Sequence, residues 1–173
     1  MGPPKEMPRS DFPDKMKEEQ TGDNFRETLI HRQEETMQGN FKTEVLTLRT
    51  THENQLLDIT DSLDQAILRS GMKDGILTIF VPHTTAGITI NEAADPDVQT
   101  DILLALDKAF PDLPEFRHRE GNSRAHVRAS LMGSSCQIIV EAGTMQLGSW
   151  QGVYLCEFDG PRTRRIFLKF LGE

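Results

Sequence analysis

The stretch FVPHTTAGITINEAADPDVQTDI, from Phe80 to Ile102, begins as an apolar strand and ends inside a helix. The first strand stops at Pro82, because proline has no backbone N–H to donate to a sheet. A polar segment, 83–85, separates it from a second short apolar strand. Asp95 and Pro96 then open a helix, since aspartate is a good N-cap and proline is tolerated at the first helical position. The stretch therefore predicts two strands and a helix, with a polar group at the first strand end.

Regular elements are also predicted on the N-terminal side of this stretch. Residues 43–51, TEVLTLRTT, are rich in β-branched side chains and predict a strand. Ile59, Leu63 and Ile67 recur at helical spacing, and Gly71 ends that helix. The helix that begins at Asp95 keeps an apolar stripe formed by Val98, Ile102, Leu106 and Phe110.

The last third of the chain consists of predicted strands. CQIIVEAGTMQLG (136–148) predicts two strands around a turn at 141–143, and the following segment (149–173) predicts two more around 159–161. Connections this short cannot cross over to a parallel partner, so antiparallel pairing is expected. We predict an α+β fold in which two main helices pack on an antiparallel β-sandwich core.

Length and charge limit the organisation of the chain and its partners. Its 173 residues suffice for one domain of ordinary size. Residues 1–40 are polar and proline-rich at their start, and they predict a disordered or partly helical extension, with the helix over 24–37. Residues 41–173 predict the folded domain. The net charge of −8 argues against nucleic acid as a partner.

The positions of the cysteines and the hydropathy of the chain indicate in which cellular compartment the protein is found. Cys136 and Cys156 lie in apolar runs, which predicts buried thiols rather than a disulfide. No stretch of about 18 residues is apolar enough to span a membrane. The N-terminal residues contain no apolar segment of the kind found in secretory signals. We therefore expect a cytoplasmic protein without a membrane partner.

A basic segment contains two of the histidines. RHREGNSRAHVR, residues 117–128, carries four arginines and one carboxylate. Two interpretations remain open: the arginines bind a phosphate or diphosphate, whose oxygens match the guanidinium fork, or they pair with acidic residues elsewhere on the surface. His118 and His126 are separated by a spacing that is not typical of zinc sites, so they are either metal ligands or structural residues.

Two other polar groups stand at predicted strand ends. Residues 83–85 occupy a position where binding groups are often displayed, although threonine hydroxyls there also commonly bond local backbone. Asn91 and Glu92 end the next strand, so both groups would share one rim of a cleft if the two strands are adjacent. Trp150 and Gln151, in GSWQG, are candidates for a stacking wall against a heterocycle, and a core tryptophan is the alternative.

Three blocks of the sequence together resemble the YjbQ family, whose members are often called secondary thiamine-phosphate synthase enzymes. PHTTAGITINEAADPDV, FRHREGNSRAHVRASLMGSS and GSWQGVYLCEFDGPRTRRI occur in the family's order, and the resemblance covers residues 43–173. It implies a compact α+β fold dominated by an antiparallel β-sandwich, a homotrimer, and one pocket that gathers the shared polar residues. Those residues are His83, Thr84, Thr85, Asn91, Glu92, Asp95, His118, His126, Arg128, Ser130, Gly148, Trp150 and Gln151.

The resemblance also implies an activity on a small phosphorylated metabolite. It would join a hydroxymethylpyrimidine diphosphate to a thiazole phosphate and release diphosphate. For this activity we predict His83, Glu92 and Arg128 as catalytic residues. We predict that the substrate is bound by Thr84, Thr85, Asn91, Arg124, Ser130, Trp150 and Gln151. Our hypothesis for the metal is a divalent ion held by His83, His118 and His126.

The implied metal and the implied chemistry do not match well. Three imidazoles favour Zn²⁺ or another transition metal, whereas Mg²⁺, the usual partner of a diphosphate, prefers oxygen ligands. Two alternatives therefore stay open. One is a metal-dependent hydrolase or lyase of a small phosphorylated compound, and the other is a non-catalytic trimeric module that binds a metal or an anion.

Overall fold

The structure is a computed structural model that describes residues 40–173. The predicted N-terminal extension, with its helix over 24–37, lies outside the described residues. Along the chain the described residues form β1 (Asn40–Arg49), β2 (Gln55–Asp58), α1 (Thr60–Ser70), β3 (Gly75–Phe80), β4 (Ala86–Glu92), α2 (Pro96–Ala109), α3 (Ser123–Met132), β5 (Ser135–Glu141), β6 (Thr144–Met145), β7 (Gln151–Glu157) and β8 (Thr163–Gly172).

The strands form two antiparallel sheets. One has five strands in the order β1-β8-β3-β5-β6, and the other has three in the order β2-β7-β4. Every pairing is antiparallel, which confirms the predicted α+β class with antiparallel sheets. The turn at 159–161, expected to join paired neighbours, instead carries the chain from β7 in the small sheet to β8 in the large one.

The two sheets and α1 share one hydrophobic core. Leu77 and Leu168 come from the large sheet, Ile88 and Leu155 from the small sheet, and Leu63 from α1, and all five are fully buried. The other face of the small sheet packs against α2 and α3. The small sheet therefore lies between the large sheet and these two helices.

The two predicted helices are confirmed. α1 ends at Gly71, which has a φ of 79°, in the left-handed region that glycine tolerates best. α2 begins after Asp95, whose Oδ1 accepts a hydrogen bond from the backbone N of Asp97 at 2.9 Å. Asp95 therefore has a structural role as N-cap. No helix among residues 40–173 is long and apolar enough to cross a membrane.

A third helix, α3, was not predicted, and the expectation of two main helices was wrong. Its buried face consists of Ala125, Arg128 and Ala129, so it lacks the broad apolar stripe by which an amphipathic helix is recognised. It approaches β4 closely at Gly87, where a Cβ atom would lie 2.8 Å from the carbonyl oxygen of Gly133. This close packing places the side chains of α3 beside the end of β3.

Candidate functional site

Two adjoining cavities lie where α3 meets the segment that follows β3. His83, Thr84 and His126 line both of them. The smaller cavity has a volume of about 320 Å³ and the larger one about 470 Å³. Volumes of this order suit a small-molecule ligand. The smaller cavity is also lined by Thr85, Glu120, Asn122, Asp159, Arg162 and Arg164.

His83 is held at the cavity by the backbone of β8. Its Nε2 lies 3.0 Å from the backbone N of Arg165 and 3.1 Å from the carbonyl oxygen of that residue, so it accepts from the first or donates to the second according to the tautomer of the imidazole. Partial burial lowers the pKa of His83, and the positive charge of Arg164 lowers it further. The imidazole is therefore neutral near pH 7.

Arg164 is the most constrained charged group at the cavity. It is only 4% exposed, its Nε donates to Glu157 at 2.7 Å, and its Nη2 donates both to Glu157 and, at 2.9 Å, to Thr85 Oγ1. Its Nη1 has no hydrogen-bond partner within residues 40–173. The guanidinium is thus fixed by the protein with one nitrogen left for a ligand.

Glu157 lies beneath Arg164 and is fully buried. Burial alone would raise the pKa of its carboxyl, but hydrogen bonds from Arg164, the backbone N of Asp159 and Thr50 outweigh burial and lower the pKa. The carboxylate is therefore charged at neutral pH and compensates Arg164. Glu157 was not among the predicted site residues. The only sequence feature that distinguishes it is that it is an acidic residue within the otherwise apolar run VYLCEF.

Arg162 lines the smaller cavity and is paired with Asp159. Its Nη2 donates to Asp159 Oδ2 and its Nε to the Asp159 carbonyl, both at 2.7 Å. Asn122 Nδ2 also donates to Asp159 Oδ2, at 3.1 Å. The smaller cavity therefore contains two arginines and two carboxylates, the second being Glu120. Arg162 and Arg164 were missed by sequence reasoning, although GPRTRR is a basic cluster in an acidic chain.

His118 and His126 lie in contact. Their ring centroids are 5.1 Å apart with the rings nearly perpendicular, and His118 Nε2 is 3.8 Å from Glu120 Oε2. His126 Nε2 is buried and has no partner in the described part of the chain. His118 lines neither of the two cavities.

The three predicted metal ligands fit a metal ion incompletely. His83 Nε2 is occupied by the Arg165 backbone, and no group of three His, Cys, Asp or Glu side chains within residues 40–173 is arranged to hold an ion. The three-histidine metal site stays a prediction.

The arginines of α3 contact carboxylates instead of the cavities. Arg128 is 1% exposed, and its Nη2 donates to Asp107 Oδ1 at 3.0 Å and to the Phe110 carbonyl at 2.9 Å. Arg124 contacts Glu53, Asp107 and Asp112. These contacts match the interpretation in which the arginines pair with acidic residues.

The remaining predicted residues lie at the far end of β4. Asn91 pairs with Gly152 and Glu92 with Gln151, beside Trp150. β4 is seven residues long, so its ends lie about 20 Å apart. Within one chain the structure therefore separates Asn91, Glu92, Trp150 and Gln151 from the cavities. Gly148 belongs to this end too, since its backbone N donates to Gln151 Oε1 at 2.8 Å.

Ser130 remains with the cavity residues. It lines the larger cavity, and its hydroxyl donates to the His126 carbonyl at 2.8 Å, one turn earlier in α3. The structure thus brings together five of the predicted residues at the cavities: His83, Thr84, Thr85, His126 and Ser130.

Comparison with known proteins agrees with the three motif blocks. The family described as UPF0047 protein YjbQ-like matches residues 44–173. The YugU protein of Bacillus subtilis is 48% identical over 128 residues, which cover 73% of this chain and 97% of that protein. A UPF0047 protein of Methanocaldococcus jannaschii is 49% identical over 126 residues, covering 73% of this chain and 91% of that protein.

Solved structures of relatives show the same fold. A YjbQ/UPF0047 protein from Clostridium acetobutylicum superposes with a TM-score of 0.71 at 55% identity, covering 73% of this chain and 98% of that one. A YjbQ-like protein from Sulfolobus solfataricus superposes with a TM-score of 0.74 at 33% identity, covering 78% and 99%. The chain therefore belongs to the YjbQ-like UPF0047 family.

Proposed function

We propose that the smaller cavity binds the phosphate of a small metabolite and that the chain is an enzyme acting on that metabolite. The observation that carries this proposal is Arg164, buried beside the cavity and held by Glu157 with Nη1 still unpaired in the described residues. A guanidinium fixed before the ligand arrives stabilises an anion without the cost of reorganisation. Arg162 and the hydroxyls of Thr84 and Thr85 supply further donors to the same cavity.

The reaction that we propose first is the one implied by the resemblance. The bond between the pyrimidine methylene and its diphosphate breaks, and the electron pair leaves with the diphosphate oxygen. The lone pair of the thiazole nitrogen forms the new bond to that methylene. The protein must stabilise negative charge on the departing diphosphate, and Arg162 and Arg164 suit that task. The predicted ring-stacking role of Trp150 remains a proposal.

A hydrolase is the second candidate, and His83 favours it. Because its pKa is lowered by burial and by Arg164, the imidazole is neutral at pH 7, and in the tautomer whose Nε2 donates to the Arg165 carbonyl its Nδ1 can accept a proton from water. It lines the same cavity as the two arginines. Hydrolysis of a phosphate ester needs both an anion-binding group and a base in one place.

We retain the homotrimer as a proposal, supported by one exposed surface. The large sheet presents apolar side chains on the face opposite its core, among them Phe41, Phe80 and Ile139, which are 69%, 44% and 58% exposed. Apolar surface of this kind favours association. A cytoplasmic location is supported by the unpaired Cys136 and Cys156.

The experiment is a turnover assay with the two phosphorylated precursors. We expect thiamine phosphate from the parent protein and at least tenfold less from His83→Asn and from Arg162→Ala. Arg69→Ala is the matched control, because Arg69 pairs with Glu44 on the surface and lines neither cavity. Melting temperatures of all variants should lie close to that of the parent.

The products separate the candidates. Thiamine phosphate that survives both cavity substitutions contradicts the proposed site. Release of inorganic phosphate from one precursor alone, lost in His83→Asn, supports the hydrolase. Absence of turnover together with diphosphate binding indicates the non-catalytic module, and absence of binding refutes the site altogether. Elemental analysis of the purified protein, with His118→Ala/His126→Ala for comparison, tests the predicted Zn²⁺ or other transition metal.

A further inference from the structure

We infer that the ligand of the smaller cavity carries a hydrogen-bond donor, an amino or hydroxyl group, in addition to its phosphate. This inference rests on the proposed function and narrows its substrates to phosphorylated amines and alcohols. Two buried atoms carry it. Asn122 Oδ1 and His126 Nε2 have no hydrogen-bond partner among residues 40–173.

The two atoms belong to one ligand-binding face. Asn122 is the residue before α3 and His126 lies one helical turn later, so their side chains stand on the same side of the helix. Both residues line the smaller cavity together with Arg162 and Arg164. A single small molecule in this cavity can therefore contact all four residues.

The orientation of the Asn122 amide is determined by its neighbour. Asn122 Nδ2 donates to Asp159 Oδ2 at 3.1 Å. The reversed amide would place its oxygen against a carboxylate oxygen, which is repulsive. The atom left without a partner is thus an acceptor, and it calls for a donor from the ligand. Asn122 makes no side-chain capping bond to α3, so the helix does not use this oxygen.

Buried polar atoms in proteins are almost always hydrogen-bonded, and these two exceptions belong to residues that line one cavity. A ligand amine or hydroxyl would donate to Asn122 Oδ1 and pair with His126 Nε2. The carboxylates of Glu120 and Asp159 line the same cavity and favour a donor or a positive charge there. A molecule with a phosphate and an amino or hydroxyl group thus complements both signs of charge in the cavity.

The test compares three phosphate esters of similar size by calorimetry: ethyl phosphate, 2-hydroxyethyl phosphate and 2-aminoethyl phosphate. We expect the parent protein to bind the hydroxyl and amino esters at least fivefold more tightly than ethyl phosphate. Asn122→Ala and His126→Phe should each reduce this preference, measured as the ratio of the affinities within one variant, to within twofold. Ser123→Ala, at the start of α3 and outside both cavities, should keep the full preference.

Three results would overturn the inference. The first is equal affinity of the parent for all three esters, and the second is a preference that persists in both variants. The third is a preference that disappears when EDTA is added to the parent, since a metal would then be its source. If the parent binds none of the esters, the phosphate site itself fails, and the inference fails with it.

Discussion

The two ends of β4 differ in how their polar residues are held. At the Ala86 end, Arg164 and Glu157 are buried together, and His83 is fixed by the backbone of β8. At the Glu92 end, Trp150 is 68% exposed and lies in neither of the two cavities. Residues from one family motif, PHTTAGITINE, therefore occupy two environments. Membership of a shared motif therefore does not place residues in one pocket of a single chain.

The largest expected difference between the two ends concerns stability. Glu157→Gln leaves the buried Arg164 without its charge partner, and we expect the free energy of unfolding to fall by about 3 to 5 kcal/mol. Glu92→Gln makes the same chemical change at the other end and should alter it by no more than about 0.5 kcal/mol. Urea denaturation of both variants measures the difference. Equal losses in the free energy of unfolding would contradict the prediction that Glu157 stabilises the fold more than Glu92 does.

A smaller difference is expected in the response to acid. The pKa of His83 lies below its ordinary value of 6.5 because of burial and Arg164, so the folded state binds this proton less readily than the unfolded chain. The free energy of unfolding should therefore fall as the pH drops from 6.5 through the folded pKa. Glu157, whose pKa is also lowered, adds a further loss below its ordinary value of 4.5.

Urea midpoints at pH 7.5 and pH 5.5 test the histidine contribution. His83→Asn should lose less stability between these two pH values than the parent does, because the group that resists protonation is gone. His52→Asn, a substitution of a histidine that contacts Thr51 and lines neither cavity, serves as the control and should behave like the parent. If His83→Asn and the parent lose the same stability between pH 7.5 and pH 5.5, the acid-induced loss does not come from His83.

The smallest expected effect is on Trp150 fluorescence. Trp150 is the only tryptophan, so its emission reports on its end of β4 alone. Inorganic phosphate bound about 20 Å away, at the other end of a seven-residue strand, should leave the emission unchanged. A clear change on phosphate binding would mean that both ends belong to one site, which within this fold requires a second copy of the chain.

Local sequence signals were sufficient for part of the fold. Gly71 ends a helix and the Asp95-Pro96 pair begins one through effects that involve only a few neighbouring residues. α1 and α2 could therefore be predicted from the sequence alone. α3 was not predicted because its buried face consists of Arg128 and two small alanines. In the sequence this pattern resembles a solvent-exposed basic loop. The chain passage from β7 to β8 was also missed, since a short turn does not reveal that its strands belong to different sheets.

The candidate site was predictable only in part, for a related reason. His83 and His126 stand in motifs, and the family resemblance identified both. Arg164 and Glu157 are distinguished by burial and mutual contact, which depend on tertiary packing and have no signature in the sequence. Conversely, the positive charge of segment 117–128 made it a candidate phosphate-binding site, but in the structure Arg124 and Arg128 pair with carboxylates.

Whether the smaller cavity binds phosphate can be decided from the diphosphate affinities of two arginine variants, measured by calorimetry at constant ionic strength. Arg162 lines the smaller cavity, whereas Arg124 contacts Glu53 and Asp112 outside it. We expect Arg162→Ala to weaken diphosphate binding at least tenfold and Arg124→Ala to change it less than twofold. The reverse result, with Arg124→Ala losing the affinity and Arg162→Ala keeping it, would contradict the proposed phosphate site.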